Sequence, residues 1–262
     1  MEVLAEGRCK MKRNKFTACL VIWLVVGALT GCLSRQQQIF SEVALKSHSA
    51  VTAVDRNDQP WWAQRHAAVL KRIAEEKTDL IFIGDSITHS WENAGKEVWD
   101  RYYARRNAVN MGFSGDRTQH VLWRLDNGEV EGISPQAAVL MIGTNNSNGK
   151  DNTAEEIADG IIAVCAKLRQ KLPGTKILIL AIFPRGQEPS AQREKNAQAG
   201  AIASQIADGR EIYYLDIGEK FLQPDKTLSP EIMPDYLHLT TRGYQIWAEA
   251  IEPKLVELMG KS

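Results

Sequence analysis

Five short, nearly continuous apolar runs recur along the chain, each ending at glycine or a polar residue and each separated from the next by a stretch of helical spacing. They are Asp79 to Gly84, "NAVNMG" at Asn107 to Gly112, "AAVLMIG" at Ala137 to Gly143, "KILILAIFP" and "IYYLDI". A strand with one wet face alternates apolar and polar residues, whereas these runs do not. Strands of that kind are buried on both faces, which requires helices on either side of a parallel sheet. The segments between supply them: "WWAQRHAAVLKRIAEEK", "RTQHVLWRLDNGEV", "AEEIADGIIAVCAKLRQKLP", "REKNAQAGAIASQIAD" and "TRGYQIWAEAIEPKLVELM". No repeat or internal low-complexity linker interrupts the series, so residues 61–262 are expected to form one α/β domain. Ligands of such sheets bind at the carboxyl ends of the strands.

The 262 residues are 44% hydrophobic, enough for a sizeable core, and 32 basic residues balance 32 acidic ones. No overall field therefore favours nucleic acid. Lys10, Lys12, Arg13 and Lys15 precede the apolar stretch "ACLVIWLVVGALT", Ala18 to Thr30, which is short for a membrane span but suits a secretory signal. It ends in "LTGC", which resembles a bacterial lipobox with cleavage between Gly31 and Cys32. Residues 1–32 are thus expected to be a signal peptide, and Cys32 to carry the lipid that anchors an extracytoplasmic bacterial lipoprotein. Residues 33–60 read as tether and N-terminal flank, and Met11 stands as an alternative start. With Cys9 and Cys19 in the signal, only Cys165 remains, so no internal disulfide is expected. Its setting "IIAVCAKL" reads as a helix face in the core. No Cys pair or His cluster has metal-ligand spacing, so neither metal nor cofactor is expected.

Chemistry is expected where the first run breaks off, in "LIFIGDSITHSW". Ser86 there is either a helix cap or a nucleophile, and a serine needs a base to become the latter. The GxSxG elbow of the α/β-hydrolases is absent. Of five histidines, His48 and His66 precede the first strand, while His89 and His120 read as surface or packing residues. His238 differs: it lies in the polar loop "MPDYLHLTTRGYQIW", three residues after Asp235. A carboxylate so placed can fix the tautomer of the imidazole and leave its other nitrogen for a serine. Acyl transfer also needs donors for an oxyanion. "MGFSGD" and "IGTNN" follow the second and third strands, where Gly115 offers a backbone N–H and Asn145 a side-chain amide.

"GDS", "GFSGD", "GTNN" and "DYLH" resemble, in order and position, the four blocks of the SGNH (GDSL-type) hydrolases. The resemblance implies a three-layer, flavodoxin-like α/β/α fold with a five-stranded parallel sheet. It also implies Ser86 as nucleophile, His238 as base, Asp235 as its orienter, and Ser86, Gly115 and Asn145 as oxyanion donors. "GDRTQHVLWRLDNGE", "FPRGQEPSAQREKN" and "DYLHLTTRGY" are similar to the catalytic subunits of the intracellular platelet-activating factor acetylhydrolases. That likeness implies removal of a short acetyl group without a metal, pairing into homodimers, and a small acyl pocket walled by Ile87 and Leu237. The expected function is therefore a serine esterase acting on small acetyl esters. The rivals are a carbohydrate O-acetyl esterase at the cell surface and a catalytically silent binding module on the same scaffold.

Overall fold

The computed structural model describes residues 34–260. Cys32 and the expected signal peptide lie outside the described residues. Among these, five parallel strands form one sheet: β1 Leu80–Gly84, β2 Ala108–Gly112, β3 Ala137–Met141, β4 Lys176–Leu180 and β5 Ile212–Leu215. Their order is β2-β1-β3-β4-β5, the flavodoxin-like doubly wound arrangement. The chain steps from β1 to one side and then crosses to the other, so a crevice opens between the carboxyl ends of β1 and β3. In register, Gly84 of β1 stands beside Gly112 of β2 and Met141 of β3.

The helices are α1 Arg35–Val43, α2 Pro60–Glu75, α3 Ser86–His89, α4 Lys96–Tyr102, α5 Thr118–Asp126, α6 Ala154–Lys171, α7 Ala191–Ala203 and α8 Thr241–Met259. Successive strand residues point to opposite faces, and both faces are covered. Ile81, Ile83, Met111, Leu140 and Ile179 pack with Trp62 and Ile73 of α2, Val121 of α5 and Ile161 of α6. Leu80, Phe82, Val139 and Leu178 pack with Val98 of α4 and Trp247, Ile251 and Leu255 of α8. Cys165 is fully buried in the first of these cores, and burial raises its thiol pKa.

Two differences from the sequence reading matter for the site. β3, β4 and β5 end before their apolar runs do, because the chain leaves the ladder there to form loops, whereas β1 and β2 run to Gly84 and Gly112 as the sequence suggests. The segment read as tether and flank also contains α1, with Ser34 and Gln37 closing a capping box. Of α1's residues only Val43 is buried, so a hydrophobic pattern could not reveal it; the S-x-x-Q spacing could have. Gln36 Nε2 donates to Ile206 O at 2.6 Å, holding the helix against the turn that precedes β5.

Candidate active site

β1 delivers Gly84 to the sheet edge, and the chain turns at once into α3. Asp85 is the N-cap: its Oδ1 accepts from Ile87 N–H at 3.0 Å. Ser86 is therefore the first helical residue, half-buried, with its hydroxyl at the crevice side. Asp85 is completely buried, and its Oδ2 has no hydrogen-bond partner. Burial pushes its carboxyl up to about 7, aided by nearby Asp116 and opposed by the Ile87 N–H, His238 and Arg185.

The loop before α8 supplies the other half. Asp235 Oδ1 accepts from Leu237 N–H at 3.1 Å and His238 N–H at 2.8 Å, so the carboxylate holds its own loop in shape. Its Oδ2 lies 2.6 Å from His238 Nδ1, and His238 Nε2 lies 2.8 Å from Ser86 Oγ. A carboxylate only accepts, so Nδ1 carries the proton and Nε2 is left to accept from the Ser86 hydroxyl. Burial opposes charge on Asp235, but the hydrogen bonds from His238 and the backbone bring its pKa below the usual carboxylate value. The backbone of Tyr236 between them is left-handed, with φ +58°, a conformation held because the surrounding bonds over-determine it.

The two donor loops flank this pair. Gly115 follows β2 with φ +76°, exposed to solvent. Asn145 follows β3, and its Nδ2 donates to Asp116 O at 2.9 Å. That bond ties the two loops together and leaves the second amide hydrogen of Asn145 for a ligand. The adjacent Asn146 plays a different part. It is fully buried, accepts from Thr118 N–H at 3.0 Å and donates to Asn152 Oδ1 at 3.1 Å. Ser86, Gly115 and Asn145 thus follow the ends of β1, β2 and β3, at the carboxyl edge of the sheet.

The remaining histidines are accounted for elsewhere. His66 is buried between Trp62 and Trp123, and His120 Nδ1 accepts from Arg117 N–H at 3.0 Å. His48 meets Asp159 at 3.1 Å. His89 is half-buried, with Nδ1 3.0 Å from Ser114 Oγ. Ile87 is 1% exposed inside the core, whereas Leu237 is half-buried and packs against the same apolar cluster.

Sequence alone gives Arg185 in "FPRGQ" no role. Its Nη1 donates to Thr144 O at 3.1 Å and Asn148 Oδ1 at 3.0 Å, so it braces the loop that carries Asn145. Next to it, Gly186 N–H donates to Tyr236 O at 2.8 Å, joining that brace to the His238 loop. Asp116 likewise carries no role that its sequence reveals. It is buried and accepts from Trp62 Nε1 at 2.8 Å and Arg124 Nε at 2.9 Å, while Arg124 also pairs with buried Glu129. Trp62 is 54 residues from Asp116 and Thr144 is 41 residues from Arg185, so short spacings do not reveal these contacts.

A sequence model of the GDSL-like Lipase/Acylhydrolase family matches residues 82–246. The chain is 34% identical over 201 residues to platelet-activating factor acetylhydrolase IB subunit alpha1 of Homo sapiens, covering 76% of this chain and 85% of that protein. It is 35% identical over 205 residues to the alpha2 subunit of Rattus norvegicus, covering 78% and 87%. Among solved structures, a carbohydrate acetylesterase from Sinorhizobium meliloti superposes with a TM-score of 0.55 at 17% identity, covering 70% of this chain and all 100% of that one. At that identity the likeness speaks for the fold alone.

Proposed function

The chain belongs to the GDSL-like lipase/acylhydrolase family and is a carboxylic ester hydrolase; from that premise we propose that it removes acetyl-sized acyl groups through an acyl-serine intermediate on Ser86. The observation that carries this reading is the unbroken series Ser86 Oγ to His238 Nε2 at 2.8 Å and His238 Nδ1 to Asp235 Oδ2 at 2.6 Å. In the first half-reaction His238 takes the hydroxyl proton as Oγ attacks the ester carbon. The carbonyl oxygen becomes an oxyanion facing the N–H groups of Ser86 and Gly115 and the amide of Asn145. His238 then gives its proton to the leaving alcohol oxygen, the C–O bond breaks, and the acyl group stays on Ser86. In the second half-reaction His238 takes a proton from water as the water oxygen attacks the acyl carbon. The same proton returns to Ser86 Oγ when the acid departs. Asp235 keeps the ring in the needed tautomer and offsets the charge of the imidazolium.

The names of the human and rat relatives favour acetyl as the acyl part. The sequence "LTGC" favours anchoring through Cys32, and the resemblance of "GDRTQHVLWRLDNGE" and "DYLHLTTRGY" to acetylhydrolase catalytic subunits implies pairing into a homodimer. The alcohol part is separated by assay of acetylated lipids against acetylated sugars.

The test is direct. A fluorophosphonate probe should label the wild type and not Ser86→Ala. Ser86→Ala and His238→Ala should each lower acetate release by several orders of magnitude, with the double variant little worse than either, because the two groups act as one unit. Losses that multiply would separate the two roles, and an unlabelled wild type would make the scaffold a binding module.

A further inference from the structure

Ser114 and Gly115 are the central residues of a β-turn. Asp116 N–H donates to Phe113 O at 3.0 Å and Gly115 has φ +76°, which marks a type II turn. Types I and II differ by a rotation of about 150–170° in the one peptide plane between the central residues. Glycine in the third position accepts either form, so the turn by itself leaves that plane free to flip. In a trans peptide the C=O and N–H point in opposite directions. Whatever holds Ser114 O therefore decides where Gly115 N–H points.

Arg56 holds it. Its Nη1 donates to Ser114 O at 2.7 Å and to Asp116 Oδ1 at 3.0 Å, and its Nη2 donates to Gln59 Oε1 at 2.8 Å. The guanidinium lies 5.5 Å above the Trp61 ring, and a Cβ added to Gly115 would stand 3.1 Å from Nη2. Its anchor is rigid, since Asp116 is fully buried and held from behind by Trp62 and Arg124. A charged donor also makes a stronger bond than a neutral one and polarises the peptide it binds, which strengthens the N–H at the opposite end.

We propose that Arg56 is a positioning residue for ester hydrolysis: through Ser114 O it aims and polarises the Gly115 N–H toward the oxyanion. This rests on the reading of Ser86 as nucleophile and Gly115 as donor. It makes the segment before α2 part of the catalytic apparatus, although its sequence reads as a flank.

Arg56→Met and Arg56→Lys test it, with p-nitrophenyl acetate as substrate and a methyl trifluoromethyl ketone as inhibitor, whose adduct with Ser86 places an oxyanion in the hole. Arg56→Met should lower kcat by about 10- to 100-fold, less than loss of a donor such as Asn145→Ala at about 10²–10³-fold. KM should stay within about twofold, because the interaction matters when charge develops. The inhibition constant for the ketone should weaken by the same factor as kcat, and the pH midpoints of kcat/KM should not move, since Ser86 and His238 are untouched. Arg56→Lys keeps a charged donor and should recover much of the loss. A merely structural role would raise KM and leave ketone affinity out of step with kcat, and that result overturns the proposal, as does full activity in both variants. Should Arg56→Met be insoluble, Arg56→Ala carries the test in its place: parallel losses in kcat and ketone affinity support the proposal, and wild-type values overturn it. A wild type that neither releases acetate nor takes the fluorophosphonate would instead refute the esterase reading itself.

Discussion

Leu237 stands between the two members of the Asp235–His238 pair, and its backbone N–H is tied to Asp235 Oδ1. Its side chain is half-buried, whereas Ile87, beside Ser86, is sealed into the core and its carbonyl accepts from Tyr244 Oη at 2.6 Å. The two walls expected of an acyl pocket thus differ in kind. Ile87 cannot be trimmed without opening a core cavity, at about 2–5 kcal/mol for a change to alanine. Leu237 still shows surface and can be shortened at less expense. Across p-nitrophenyl esters from acetate to octanoate, the wild type should lose more than about tenfold in kcat/KM, because clashes outweigh the ~0.8 kcal/mol per methylene that burial returns. Leu237→Ala should narrow that difference. A wild-type optimum at about six carbons or more would sink the small-pocket reading.

At the scale of elements, the site depends on how closely α3 lies over the end of β2. A Cβ on Gly112 would stand 2.2 Å from His89 N and 2.5 Å from Thr88 C, both backbone atoms of α3. No side-chain motion can relieve such a contact, so α3 would have to move, and with it Ser86 at its first position. Gly112→Ala should cost about 1–3 kcal/mol in stability, the usual range for overpacking. It should cost more in rate: a shift of about 1 Å at the nucleophile can lower turnover about 100-fold. Thermal melting and acetate release measured on the same sample check this. A lowered Tm with unchanged kcat would mean that α3 yields without carrying Ser86 with it.

For the whole molecule, buried His66 and half-buried His120 both favour the unfolded chain in acid. Burial, with Arg124 adding to it, lowers His66 from 6.5 to about 4; burial, with Arg56, Arg117 and Arg124, lowers His120 to about 3. The folded protein keeps both neutral, while the unfolded chain takes up protons below 6.5. The unfolded state therefore binds more protons as pH falls from 6.5 towards 4 for His66 and towards 3 for His120, so stability is lost on acidification through that window and is fully present above it. His66 lies between the rings of Trp62 and Trp123, and its Nε2 has no partner, so phenylalanine can take its place. His66→Phe should lose less Tm than the wild type between about pH 7 and about pH 4.5. An equal loss in both would assign the acid limit to other groups.

Sequence alone determined the layers and the sheet edge at which the candidate site lies. Strand and helix follow from local apolar spacing, and a parallel sheet brings every strand's carboxyl end to one side, which is where Ser86, Gly115 and Asn145 stand in the chain. The Asp235–His238 pairing was legible for the same reason, since three residues of loop suffice to close it. Tertiary structure decided the rest. The order β2-β1-β3-β4-β5 sets which loops face each other, and no local pattern encodes it. Of the adjacent Asn145 and Asn146, only packing determines that the first stays half-open and the second is consumed by Thr118 and Asn152. Arg56 and Arg185 read as ordinary surface cations until partners 58 and 41 residues away are brought within hydrogen-bond reach. A contact between residues so distant in the chain exists only once the sheet has formed, so single-residue chemistry and short spacings carry no trace of it.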